Sequence, residues 1–592
     1  MVIPPKLAFF LPFAVLPVAL WIAARDQNPL PPSCRCFPDD PCWPTQDEWQ
    51  TFNQSIAGNL IAVDPIGDVC HINGPFGSYD SQACADLLAR WSIPATHSET
   101  AFSLMAAWWA NDSCSPFTSK DSPCTVGPLA RYAANVTSAD EVRKVLDFTQ
   151  RRNIRLVIRN TGHDYIGKST GPGAVALWTH HLKSIDYVSE YVSAAYTGPA
   201  MRIGAGVQGF EAQNAAHQHG FTIVTGHCPD IGIAGGYTQG GGHGPLASRY
   251  GLAADQVLEW EVVTATGDIL TASPVQHADL YWALSGGGGG TYAVVLAMTV
   301  RVYPEEPTAV ATLSFTSAST ADERFWAVIR MYLLDILSLL DTGGTALWLV
   351  FPPSLTGGSV MFNAGPMTLP GAGKQELHAH LASTLRILEK HDIAYGKLAH
   401  PSLYYSINAF PTYHAAVAET AVNITEMSVG GRLIPRSTVE SNPDGLISAI
   451  QRIIGYEAAF SGFSMNVHHA HDRLAANNAA NPAWQKTAMS AVFGLPFNYT
   501  NRQANLNDHK LITNTLIPLL EALTPPGEIS GVYLNEADFN QPDWQSAFYG
   551  ANYDCLQRIK DKYDPDQAFY ARTAVGSQRW VEHEDGRLCR AV

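Results

Sequence analysis

Charge is scarce in this chain of 592 residues, and basic charge most of all. Only 15% of the side chains are charged, and 37 Lys and Arg stand against 53 Asp and Glu, a formal net charge of −16. A nucleic-acid partner needs a basic face for its phosphates; that class is set aside, and a small-molecule partner is expected. Internal repeats are absent, and the one low-complexity piece is the glycine run 286–290. Long apolar runs are also lacking, with one exception. Between Lys6 and Arg25 no charge occurs, Pro12 and Pro17 interrupt the run, and Ala23–Ala24 offers small residues for a cut. This predicts a cleaved signal peptide over residues 1–24 rather than a lasting anchor, hence an extracellular protein with no membrane attachment after cleavage.

Paired C-x-x-C knuckles of the kind that hold zinc are missing too. The cysteines cluster instead: Cys34, Cys36, Cys42, Cys70, Cys84, Cys114 and Cys124 lie early, and Cys555 and Cys589 lie at the far end. In a secreted chain such a set reads as disulfides, with pairing left open. Sequons at Asn53, Asn111, Asn135, Asn423 and Asn498 point the same way, to N-linked glycans at some of them. Cys228 stands alone in mid-chain.

Texture divides the rest. Residues 25–123 are rich in Pro and Cys and read as a disulfide-tied extension. Over 124–303 strands and helices alternate: "SADEVRKVLDFTQRRN" has helical apolar spacing, and "IRLVI", "AVALWT", "AMRIGAG" and "FTIV" read as strands. Over 304–535 longer runs predict a second domain, with an apolar helix in "FWAVIRMYLLDILSLL" and paired strands in "ALWLVF" and "SVMFNAG". Residues 536–592 close the chain with a helix ended by Asp564–Pro565.

A dinucleotide fingerprint, G-x-G-x-x-G, occurs at Gly204, Gly206 and Gly209. The next strand ends in Thr225–Gly226 and lacks the carboxylate that holds a ribose. The motif therefore reads as a strand-to-helix turn that needs small residues. "GHCPDIGIAGGYTQGGGHG", 226–244, is different. Glycine lets backbone N–H groups line a concavity, and such a nest binds pyrophosphate without lysines.

Four ordered motifs carry a resemblance: "RNTGHDYIG", "GHCPDIGIAGGYTQGGGHG", "YGLAADQVLEWEVVTATGDI" and "DLYWALSGGGGGTYAVVLAMTVRVYP", joined near the end by "YGANYDCLQRIKDKYDPDQAFY". They resemble the PCMH-type FAD-binding domain of the vanillyl-alcohol oxidase superfamily. More narrowly they resemble the berberine-bridge-enzyme-like oxidases, and most of all secreted fungal members such as isoamyl alcohol oxidase-like proteins. The resemblance implies an α+β fold: a two-subdomain FAD-binding domain, and a substrate domain with an antiparallel sheet covered by helices. The segment 536–592 would return to the FAD domain. It implies bicovalent FAD, through His163 to the flavin 8α-carbon and through Cys228 to C6. It implies further cofactor contacts along Arg159, Asn160, Thr161, Gly162, Asp164, Gly167 and Ser169, along Gly226, Gly232, Gly235, Gly236, Gly240, Gly242 and Gly244, and at Leu252, Asp255, Val262 and Tyr570.

The implied reaction is hydride removal from an alcohol-type C–H, with O2 as acceptor giving H2O2. Ile231 is bulky on the C-x-x-x-G loop, which leaves dehydrogenase behaviour open. Where the family has a basic tyrosine, this chain has Glu536, with Tyr533, Asp538 and Tyr165 as further candidates. Two other readings stand beside it, a secondary-metabolite tailoring enzyme (dehydrogenation or ring closure) and a flavin-binding protein without turnover. "HHAHD", with His468, His469 and His471, lacks the i, i+4 spacing of a helical metal pair, so no metal is expected.

Overall fold

The computed structural model describes residues 34–591 apart from 75, 318, 394, 396–403, 419–422, 425, 471–477 and 525–529. The predicted signal segment and His471 lie outside the described residues. Among the described residues no helix is long and apolar enough to cross a membrane.

Two sheets build the first half. In the smaller, Tyr132–Asn135, Val175–Trp178 and Leu156–Arg159 run parallel in that order. Helix Ala139–Arg151 makes the crossover, capped by Ser138 accepting from Glu141 N at 3.3 Å. Val142, Val145 and Leu146, three and four residues apart, are buried beneath it. The larger sheet is antiparallel, in the order Ile185–Val192, Thr197–Gly204, Val294–Arg301, Val257–Val263, Ile269–Ala272. "FTIV" forms only a two-residue strand, Phe221–Thr222, because the chain leaves it at once for the glycine loop.

The third sheet has seven antiparallel strands spanning 308–496. Its inner face repeats every second residue, the period of a strand. Ala309, Ala311, Leu313 and Phe315 are fully buried on one strand, with Trp348 and Val350, then Phe362 and Ala364, on the next two. They pack under helices Glu323–Asp341 and Pro443–Gly455. An antiparallel sheet covered by helices is what the resemblance implied.

The extension is not a separate body. Its strand Leu60–Ala62 adds to the parallel sheet, antiparallel to Tyr132–Asn135. Four disulfides tie it down: Cys34–Cys589, Cys36–Cys42, Cys70–Cys84 and Cys114–Cys124. Cys228 and Cys555 are free. The closing helix Tyr553–Tyr563 packs back onto Ala278–Leu284. There the buried Lys560 pairs with Asp564 and donates to the carbonyls of Thr291 (2.7 Å) and Phe569 (2.8 Å).

Candidate cofactor and active site

Two loops meet at the end of the strand Leu156–Arg159. Successive strand residues point to opposite faces, and Arg159 and Asn160 divide accordingly. Arg159 is buried and its Nη2 donates to the carbonyls of His97, Thr100 and Ser103, which fastens the extension, while Nε and Nη1 have no partner among the described residues. Asn160 faces the glycine loop. Its Nδ2 donates to Ala205 O, while Oδ1 has no partner among the described residues. A Cβ on Gly232 or Gly235 would lie 2.6 or 2.9 Å from the Asn160 side chain, so only glycine fits there. Asp164 braces its own loop, accepting from Ile166 N (3.0 Å) and Ser169 N (2.7 Å). Gly162 and Gly167 take positive φ, and the Trp109 ring lies where a Gly167 side chain would stand.

His163 emerges from this loop with Nε2 3.2 Å from Asp230 Oδ2. The contact is out of line for a hydrogen bond, and Nε2 and both Asp230 oxygens are buried without partners among the described residues. Cys228 lies nearby; burial first, then the charges of Asp230 and Glu536, pushes its thiol up to about 12. Lys168 also has a buried, unpartnered Nζ, and burial pulls it down to about 8. Orphaned buried polar atoms are rare in native proteins. Beside it Gly236 borders open space, since a Cβ there would meet nothing within 4 Å. An unpaired ammonium, an imidazole, a thiol and a glycine nest suit an anionic, hydrogen-bonding cofactor, and FAD fits that donor set.

The other glycines have packing reasons. Gly244 backs onto Thr225 O, and Gly226 and Gly242 onto the Tyr237 ring. The carbonyls of Gly242 and Gly241 accept from Ala253 N and Ala254 N, next to the buried Leu252. Asp255 is a tie here, accepting from Leu252 N and Asn478 Nδ2. Val262 is a core residue of the antiparallel sheet, and Tyr570 lies under the Arg155 guanidinium at 5.3 Å. Thr161 is buried within its loop. Gly204 and Gly206 press against the carbonyls of Leu182 and His180, which explains the fingerprint as close packing.

The candidate base lies across the glycine loop. Both Glu536 oxygens are 3.2 Å from His243 Nε2. His243 is buried, walled by Phe463 (4.9 Å), Tyr533 (5.0 Å) and Trp484 (5.8 Å) between ring centroids. The Glu536 side chain keeps 23% of its surface exposed. Asn535 ties this turn to the loop, donating to Gly236 O and to the Tyr533 hydroxyl, each at 2.9 Å; a Gly240 side chain would strike its amide. Burial and Glu536 push Tyr533 well above a normal phenol. Tyr165 keeps 41% of its surface exposed, but its hydroxyl end is raised, first by burial and then by the charges of Cys228, Glu536 and Glu426, which places all four within electrostatic reach. Asp538 is not part of this group. Its carboxylate turns away to accept from Thr513 Oγ1 (2.5 Å) and Asn540 N (2.9 Å).

Residues 130–273 match the family described as FAD binding domain, and residues 532–576 match berberine and berberine like. The FAD-linked oxidoreductase sor8 of Hypocrea jecorina is 44% identical over 561 residues, 94% of this chain and 93% of that one. The VAO-type flavoprotein oxidase VAO615 of Thermothelomyces thermophilus is 40% identical, over 95% and 96% of the two chains. The chain belongs to this family. It is an FAD-linked oxidoreductase of the vanillyl-alcohol oxidase and berberine-bridge-enzyme-like group. The crystal structure of MtVAO615 from Myceliophthora thermophila C1 superposes with a TM-score of 0.86 at 38% identity, covering 94% of this chain and all of that one. The bifunctional decalin synthase calF of Penicillium decumbens is 39% identical over 98% of this oxidoreductase and 99% of that chain.

Sequence reasoning passed over His243, Asp230, Lys168 and Asn535. Lys168, Asp230 and His243 stand inside or beside the quoted motifs, where a polar residue within a glycine loop was the available signal, and Asn535 directly precedes Glu536. Of "HHAHD", His468 and His469 lie in a short turn, Val467–His469, and His471 lies outside the described residues. The two cysteine–carboxylate groups that come close, Cys36–Asp40–Cys42 and Asp68–Cys114–Cys124, have their sulfurs in disulfides.

Proposed function

We propose that this oxidoreductase removes a hydride from an alcohol-type C–H, with FAD attached through His163 and Cys228 and dioxygen reduced to H2O2. The reading includes secretion and glycans at exposed Asn111, Asn423 and Asn498, with Asn53 and Asn135 more covered. The observation that carries it is the Glu536–His243 pair at the rim of the glycine nest. Bound FAD supplies the two-electron acceptor. The chain supplies the rest. Glu536 takes the hydroxyl proton. His243 fixes the carboxylate by its Nε2 contact. Phe463 and Trp484 wall off water, which strengthens the electrostatics of the transfer. Asn160, Lys168 and the amides around Gly236 hold the anionic cofactor.

The likeness to a decalin synthase supports a second reading, in which the same abstraction serves ring closure or dehydrogenation of a larger metabolite. Anaerobic single-turnover reduction tests the first. Glu536→Gln is expected to slow flavin reduction by about 10²–10⁴, and unchanged reduction would remove Glu536 from the role. An alcohol and sugar panel with peroxide detection separates alcohol oxidation from tailoring and from binding without turnover.

A further inference from the structure

Asp230 is a buried carboxylate in want of a partner. Its loop is held rigidly: Gln208 Nε2 donates to Asp230 O at 2.9 Å, Phe210 N donates to Pro229 O at 2.7 Å, and Gly209 packs against that same carbonyl. Both side-chain oxygens lack any donor among the described residues, and one faces His163 Nε2 at 3.2 Å. Burying an unpaired carboxylate is costly. A chain that tolerates it beside the linking histidine has placed it for an event at that ring.

We propose that Asp230 is a positioning residue for His163. The charge of its carboxylate beside Nε2, at 3.2 Å though out of line for a hydrogen bond, favours the proton on that nitrogen and leaves Nδ1 to bond the flavin 8α-carbon. A carboxylate on one ring nitrogen selects the tautomer and presents the other. The inference rests on the covalent reading above. Attachment breaks one C–H bond of the 8α-methyl and one N–H bond of the imidazole and forms one C–N bond. Two protons and two electrons leave; dioxygen takes the electrons and becomes H2O2 with two protons. Asp230 accepts the Nε2 proton as the ring gains its carbon substituent at Nδ1.

The test compares wild type, Asp230→Asn, Asp230→Glu and His163→Ala by flavin-peptide mass mapping, with circular dichroism and thermal melting to confirm folding. Asp230→Asn keeps the shape of the side chain and loses the charge. We expect its His163-linked fraction to fall at least about tenfold at early times after mixing with FAD, with fold intact and noncovalent FAD still bound. Asp230→Glu is expected to restore part of it. Fragmentation of the wild-type peptide is expected to place the flavin on Nδ1. Folded Asp230→Asn protein that links His163 at the wild-type rate, or wild-type linkage through Nε2, overturns the proposal. Wild type with no flavin on His163 overturns the covalent reading, and this one with it. If Asp230→Asn does not fold, the His163-linked fraction of folded Asp230→Ser protein decides by the same criterion.

Discussion

The seven-stranded sheet and the glycine loops solve opposite problems. The sheet buries Phe315, Trp348, Phe362 and Phe460 in alternating register, and its one buried indole N–H, on Trp348, finds Ser464 Oγ at 3.0 Å. In that core the Tyr332 hydroxyl is the one side-chain polar atom buried without a partner among the described residues. The loops bury His163, Asp230, Lys168 and Asn160 with polar atoms unmatched by protein. They are complete only around a ligand. One region is built for stability, and the other holds polar groups in readiness for a cofactor.

Substitutions sharpen that contrast. Lys560→Met strips the partner from Asp564, which is fully buried at the junction of the closing helix and the FAD-binding half. Breaking such a pair costs about 3–5 kcal/mol, and calorimetry is expected to show the largest loss of the set. Trp348→Ala removes a large side chain from the sheet core, also about 3–5 kcal/mol but softened where neighbours collapse. The expected result is a lower melting temperature with flavin stoichiometry unchanged. Gly232→Ala reverses the pattern. The new methyl meets Asn160 at 2.6 Å, so flavin content is expected to drop while melting moves by only a few degrees. If Trp348→Ala strips flavin and Gly232→Ala does not, the division of labour is wrong.

The smallest effect concerns pH. Glu426 bridges the extension and the sheet domain, accepting from Trp91 Nε1 (2.8 Å) and Ala107 N (3.3 Å), and burial pushes it up to about 7. Between the ordinary glutamate value and about 7 the folded chain holds a proton that the unfolded chain has lost. Stability therefore falls as pH rises through that window and is level above it. Glu426→Gln is expected to flatten that slope, as read from melting temperatures across pH 4–8.

Motif and period explain how much was legible. The sheet domain followed from alternation in "ALWLVF" and "SVMFNAG", because one-sided burial writes its period into the chain. His163 and Cys228 were singled out by the resemblance their motifs carry, and in the structure both lie with Asp230 of the glycine loop. The directions of Arg159 and Asp538 were not legible, because sequence neighbours do not share a direction. Arg159 and Asn160 leave the same strand on opposite sides, and Asp538 turns to Thr513 two residues past Glu536. His243 and Asp230 were missed because their partners, Glu536 and His163, are distant in sequence, and no local pattern reports such a meeting.

The central claim is that the glycine nest carries flavin bonded to both His163 and Cys228. The most direct measurement is to denature the purified protein in acid, ask whether the yellow colour precipitates with the chain, and map the flavin-bearing peptides by mass. The account predicts flavin on the peptides of both residues. Colour released wholly into the supernatant would contradict it.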